Sequence, residues 1–317
     1  MDKRKFLAAA MAGLATPALI SPSGAQSYKP GTDALGRRGS SKPKPLPRRK
    51  ARTTKMFLVP PSWPNAISVE PGKGFWVQEQ RHDGAPEKAW LLDFKTGKVL
   101  HTVTTQSKNT SGGVWGGGYL WSGANGISIK NHPNPPVNGI FQTDMNGKQV
   151  SWRQIPFGPA DDGGASHGVA WDNGKLWVHS NRLAAIIRID PKSWQVDWLI
   201  PNTHDTQRLH GITYDNSNGS GGSIWQVCGT QKSDVIGYEG YTPSLVRYDI
   251  KTSKAVEFVD FVPGSCDIHD VTVINGQLYG VDAGEHPGWP IEKKYERPGF
   301  PHLNSPSGGY VFKIDLI

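Results

Sequence analysis

Between Ser166 and Pro201 apolar and polar positions alternate in short runs, His167 to Trp171, Lys175 to His179, Ile186 to Asp190 and Gln195 to Ile200. Asp-Asn-Gly at 172–174 and Asp-Pro-Lys at 190–192 stand between them as turn residues. A period of two, interrupted by such turns, predicts a four-stranded antiparallel meander. A sheet this small, with two apolar faces, cannot bury both alone. It predicts neighbours of its own kind.

The pattern recurs. Aligned on the aromatic of the second strand, Trp177 has counterparts in Trp76, Trp121, Trp225 and Tyr279. Each is followed by a third strand with an acidic end, at Asp93, Asp144, Asp190, Asp249 and Asp315. The fifth unit stops after its third strand, at Ile317, and MFLVPP at Met56 precedes the first unit as WLIPN and FVDFVP precede later ones. The expectation is an all-β chain folded as a single β-propeller of five four-stranded blades. A strand at about Met56 to Pro60 would complete the last blade and remove the open edges. The aromatic series occupies one place in every repeat, which inter-blade stacking demands.

Composition divides the chain further. Residues 1–25 carry Lys3, Arg4 and Lys5, a short mildly apolar stretch from Leu7 to Ile20, and small residues at Ser23-Gly24-Ala25. They read as an export signal, twin-arginine-like or ordinary secretory, and place the protein in the periplasm or outside the cell. The stretch is too short to span a bilayer. Residues 26–55 hold ten Lys or Arg against one acid and are broken by Pro43, Pro45 and Pro47, which predicts a basic disordered arm able to contact an anionic envelope surface. The leader's +2 and the arm's +9 exceed the chain's total of +8, so residues 56–317 carry −3. A nucleic-acid partner for the folded part is therefore not expected. Cys228 and Cys266 fall on one face in neighbouring units and are candidates for a disulfide in an exported protein.

The candidate chemistry lies where the first strands begin. Asn65, Gly112, His167, His210 and His269 open the five first strands, and in a propeller these strands line the central channel. Three histidines from consecutive units predict a centre for a divalent ion, with Zn, Fe, Mn, Ni and Cu all compatible with imidazole. The longest insertions, such as 124–138, 229–243 and 283–309, fall between second and third strands and emerge on the same face. They and the adjoining strand ends bring Glu79, His179, Asp282 and His286 as candidates for a general acid or base. Asn65, Asn181, Lys232, Tyr238 and Trp289 are candidates for substrate contact.

The segment HGVAWDNGKLWVHSNRLAAIIRIDP, residues 167–191, resembles the repeats of streptogramin lyases (virginiamycin B lyase) and of the wider propeller group that includes gluconolactonase-type enzymes. That resemblance extends over residues 56–317. It implies a first-strand histidine working with a divalent metal, and His167, His210 and His269 match that place. LLDFKTGKVL, residues 91–100, resembles the repeats of the exported glutaminyl cyclases, which have five blades. The Glu-containing catalytic motifs of those cyclases and the acidic calcium ligands of the lactonases are absent here, and histidines stand on the inner strands instead. The expected function is a metal-dependent lyase or hydrolase acting on a small or oligomeric extracellular compound. The alternative is a non-catalytic propeller that binds a protein or glycan.

Overall fold

The structure, a computed structural model, describes residues 46–81, 85–125, 138–154, 167–180, 183–202, 207–217, 219, 221–229, 244–262, 268–283 and 309–317. Among them no α-helix occurs, and twenty strands form five four-stranded units. β1 spans Arg48–Leu58. The first unit is β2 (Trp63–Glu70), β3 (Gly74–Gln80), β4 (Glu87–Asp93) and β5 (Val99–Thr105). The second is β6 (Thr110–Gly116), β7 (Tyr119–Ala124), β8 (Gly139–Thr143) and β9 (Gln149–Arg153). The third is β10 (Gly168–Asp172), β11 (Lys175–Ser180), β12 (Ala185–Ile189) and β13 (Val196–Pro201). The fourth is β14 (Gln207–Asp215), β15 (Ser223–Gly229), β16 (Ser244–Asp249) and β17 (Lys254–Phe261). The fifth is β18 (Asp270–Ile274), β19 (Gln277–Val281), β20 (Tyr310–Leu316) and then β1. The first strands β2, β6, β10, β14 and β18 neighbour one another in sequence, and β18 returns to β2, so the ring closes as a β-propeller.

The N-terminal strand closes the last unit, as its missing fourth strand predicts, with Phe57 opposite Val311 and Leu58 opposite Tyr310. Its start differs from the expectation. β1 begins at Arg48, so residues 48–55, which composition assigns to a disordered arm, are strand. Ala51 and the β-branched Thr53 carry the inward side of the alternation, and Ala51 is fully buried between Leu316 and Phe261. The arginines stay half exposed but are paired: Arg49 forms a bidentate pair with Glu257 and Arg48 with Asp260. Through residues 48–51 β1 also runs parallel to β17, which joins the fourth and fifth units into one eight-stranded sheet. One segment thereby covers two edges that would otherwise be exposed.

The repeated side chains do repeated work. Trp76, Trp121, Trp177 and Trp225 are buried, and three of their indole N–H groups donate to an acid near the end of the preceding strand: Trp76 to Glu70, Trp177 to Asp172 and Trp225 to Asp215. Asp93, Asp144, Asp190 and Asp249 accept backbone N–H groups two to four residues ahead and so shape the turn into each fourth strand. Among the described residues no helix is long and apolar enough to cross a membrane.

Candidate functional site

Cross-strand pairing supplies a common register for the five first strands. The second-strand aromatics face Ser68, Val114, Ala170, Thr213 and Thr272. Three residues earlier on each strand stand Asn65, Ser111, His167, His210 and His269. This is the layer that the sequence assigned to the mouth of the channel, with one correction: the second unit contributes Ser111, and Gly112 belongs to the layer below. The pairing of Val114 with Trp121 fixes this, because Ser111 is the residue three places before Val114.

The three histidines come together. The His167 and His210 ring centres are 5.7 Å apart with planes at 64°, and those of His210 and His269 are 4.6 Å apart at 32°. Asn65 completes the row. Its Nδ2 donates to Gln80 Oε1 and to the Thr110 carbonyl, and a carbonyl oxygen only accepts, so the amide oxygen is the atom turned to His269, 3.0 Å from Nδ1. That oxygen in turn needs a donor. His269 Nδ1 therefore carries the hydrogen, and in the neutral ring the lone pair resides on Nε2. The polar row continues from Gln80 to Asn109 and Ser111, and Asn125 donates to Ser111.

Below this layer lie Ala66, Gly112, Gly168, Gly211 and Asp270, four small residues and one carboxylate. A Cβ on Gly211 would meet Asp270 Oδ1 at 1.7 Å, so glycine is what lets the carboxyl group sit there. Asp270 accepts the N–H of Ile67 at 2.9 Å, its own neighbour Val271 at 2.9 Å, and Gly113. It clasps the first strands of three units and floors the histidine cup. Burial holds its pKa well above the usual carboxylate range, against those three donors.

The other candidates are distributed as follows. His179, fully buried on β11 behind His167, has its pKa pushed well below the ordinary histidine value, by burial first and by His167 second. Its Nε2 lies 3.3 Å from Asn202 Nδ2. Glu79 is buried too and accepts the backbone N–H of Lys88, which ties it to the chain entering β4. Asp282 is fully buried, with its carbonyl accepting from Gly309 N. These side chains lie inside the units instead of on an open rim. His286, Asn181, Lys232, Tyr238 and Trp289 lie outside the described residues, as does Cys266. Cys228 carries a free, buried thiol 3.1 Å from Ser244 Oγ, and burial raises its pKa to about 12.

Like Asp270, a second titratable group is not among the candidates that the sequence offers. Glu87 opens β4, is 1% exposed, and accepts from Arg81 N, Thr110 N, Thr110 Oγ1 and Ser107 Oγ. Burial outweighs these donors and lifts its pKa to about 7. By gripping Thr110 it positions the start of β6, and with it Ser111 of the mouth. Its only sequence signal is a glutamate beside a proline before an apolar run.

As for a metal, the donor chemistry is suitable: imidazoles on adjacent strands, one with its remote nitrogen tied to an amide oxygen. The present geometry is not that of a ligand set. Among the described residues no three His, Cys, Asp or Glu side chains are arranged to hold an ion.

No protein-family model matches the chain, and no curated protein matches it by sequence. Solved structures do. Glutaminyl cyclase from Myxococcus xanthus superposes with a TM-score of 0.52 at 11% identity, over 86% of this chain and 98% of that one. The WD40 propeller domain of Doa1 gives 0.41 at 11% identity over 80% and 78%. A 6-phosphogluconolactonase-like protein from Bacteroides uniformis gives 0.40 at 13% over 69% and 64%. At these identities the first superposition establishes the fold alone.

Proposed function

We propose that the chain is an exported propeller enzyme of the lyase or hydrolase type, acting on a small or oligomeric compound at the histidine mouth. One observation carries this reading. Three imidazoles from three consecutive inner strands lie side by side, 5.7 and 4.6 Å between ring centres, and the last presents Nε2 as a lone pair because Asn65 holds its other nitrogen. Charging His210 and His269 together would set two positive charges 4.6 Å apart, at a cost of about 4 kcal/mol for an effective dielectric of about 20. The pair thus favours at least one neutral ring, the form that accepts a proton or a metal ion.

His167, His210 and His269 are the side chains that would hold a divalent ion, which would supply Lewis acidity toward a substrate carbonyl or carboxylate. Binding it requires the rings to turn from their edge-to-face and tilted arrangement toward one point. The chain's own part is to present neutral nitrogens, to brace His269 through Asn65 and Gln80, and to close the cup from below with Asp270. The basic segment before Arg48 is proposed to contact an anionic envelope surface.

Elemental analysis of protein purified without a histidine tag tests the reading. About one equivalent of a divalent metal is expected in the native protein and none in a variant with alanine at 167, 210 and 269, both melting as all-β proteins. If the native protein keeps no ion after incubation with Zn, Mn, Ni or Fe(II), the packed rings favour the second reading. That is a non-catalytic propeller that recognises a protein or glycan.

A further inference from the structure

The carboxyl group of Glu87 has two unlike oxygens. Oε1 accepts from backbone groups, Arg81 N at 2.8 Å and Thr110 N at 3.1 Å, whose direction the chain fixes. Oε2 accepts from two hydroxyls, Thr110 Oγ1 at 2.5 Å and Ser107 Oγ at 3.3 Å, and shares the Thr110 N–H at 3.3 Å. A hydroxyl can turn and accept instead of donate, so Oε2 is the oxygen that can carry a proton.

The hydroxyls continue into a closed circuit. Thr110 Oγ1 lies 2.9 Å from Ser107 Oγ, Ser107 Oγ 2.8 Å from Thr105 Oγ1, and Thr105 Oγ1 3.4 Å from the carbonyl oxygen of Glu87 itself. With Glu87 ionised, Thr110 and Ser107 both donate to Oε2. With Glu87 protonated, Oε2 donates to Thr110, Thr110 to Ser107, Ser107 to Thr105 and Thr105 to the Glu87 carbonyl. Each hydroxyl has a partner in either direction, and all four residues are buried. Burial is the largest influence on the carboxyl and the other main ones are hydrogen bonds. The charged side chains on the surrounding elements are Glu79, which accepts from Lys88 N, Arg81, the exposed Lys88, the half-buried Lys108, and His101, which contacts the Met145 carbonyl. None of them is among those main influences, and residues 82–84 lie outside the described residues.

From this circuit hydrogen bonds lead to the histidine mouth. The Thr110 carbonyl accepts from Asn65 Nδ2 at 3.4 Å. Asn109, one residue earlier, accepts at its side-chain oxygen from Gln80 Nε2, and Gln80 Oε1 accepts from Asn65 Nδ2 at 2.5 Å. Asn65 Oδ1 then meets His269. An N–H bound to a carboxylate is held about twice as strongly as one bound to a neutral carboxyl, so the charge on Glu87 decides how tightly Thr110 is drawn to β4. We propose that Glu87, Thr105, Ser107 and Thr110 form a proton switch beside the mouth, whose two hydrogen-bond directions reset the Thr110 backbone and, through it, Asn109 and Gln80, the Asn65 amide that faces His269. The switch acts on the position of Asn65 whatever chemistry the histidines perform.

The experiment is ¹H–¹⁵N NMR on the full chain from about pH 5.5 to 8.5, read at the Thr110 backbone amide and the Asn65 side-chain amide. Both signals are expected to shift with one midpoint, at about 7, the value to which burial lifts Glu87. Glu87→Gln keeps the shape, cannot ionise and donates as the protonated carboxyl does. In that variant the common midpoint should vanish and both signals should stay near their low-pH positions. Thr105→Val removes the acceptor that Ser107 needs only in the protonated direction, and should lower the midpoint by about half to one pH unit, the equivalent of one hydrogen bond. That variant also carries the test should Glu87→Gln fail to fold. The proposal is overturned if the Thr110 amide shows no midpoint in the range, or if Thr105→Val leaves the midpoint where it was. It is overturned as well if Asn65 still titrates in Glu87→Gln, which would assign its shift to the histidines.

Discussion

His269 and Asn65, 204 residues apart, meet at 3.0 Å between Nδ1 and Oδ1, across the seam where the last unit of the ring adjoins the first. The contact needs a closed ring, and β1 supplies the closure on the outer side of the same seam. Replacing Asn65 by Leu should leave His269 Nδ1 and Gln80 Oε1 without their partner. A loss of about 1–3 kcal/mol in urea unfolding is expected, with the fold retained. An unchanged midpoint would show that the pair does not brace the ring.

Asp270 carries a heavier load, because three backbone N–H groups from three units end on one carboxyl group. Asp270→Ala should cost about 3 kcal/mol or more, the sum of several buried donors left unsatisfied. Asp270→Asn keeps an acceptor and should cost less. Equal midpoints for the alanine variant and the native protein would contradict the clasp.

Glu87 sets a pH dependence with a definite sign. Its folded pKa of about 7 exceeds the ordinary glutamate value of 4.5, so between those values the folded state holds a proton that the unfolded state releases. Stability from this group therefore falls as pH rises through that window, by about 3 kcal/mol in all. The raised carboxyl of Asp270 acts in the same direction. Unfolding midpoints measured from pH 4.5 to 8 should decline for the native protein and decline less for Glu87→Gln. Identical slopes would mean that the four donors keep Glu87 ionised throughout.

Cys228 should be chemically silent. A buried thiol with a pKa of about 12 offers almost no thiolate at pH 8. Alkylation of the folded protein at that pH should leave it unmodified, and unfolding without reductant should expose two reactive thiols. Rapid labelling of Cys228 in the folded state would contradict its burial, and a count of zero after unfolding would establish the bridge to Cys266.

Much of this architecture is legible in the residues themselves. Trp76, Trp121, Trp177 and Trp225 recur because each unit must stack on the next, and the acids from Asp93 to Asp249 recur because each hairpin needs the same turn. Local repetition of that kind survives in a single sequence. Cross-strand register does not, and the pairing of Val114 with Trp121 puts Ser111 in place of Gly112 at the mouth. Asp270 was hidden for a related reason: its place is made by Gly211 on another strand, and no spacing within β18 reveals it. The start of β1 was masked by composition, since Arg48 and Arg49 look like a solvated arm until Asp260 and Glu257 are found opposite them.

The central claim is that His167, His210 and His269 act as one site, and histidine-ring ¹⁵N NMR during titration with Zn²⁺ tests it most directly. His101, whose Nε2 contacts the Met145 carbonyl on another part of the surface, serves as the internal control. The account predicts that His269 starts as the Nδ1–H tautomer. It predicts further that one equivalent of Zn²⁺ shifts the ring nitrogens of 167, 210 and 269 together, leaving His101 in place. Three rings that respond independently, or not at all, with His101 moving first, would contradict it.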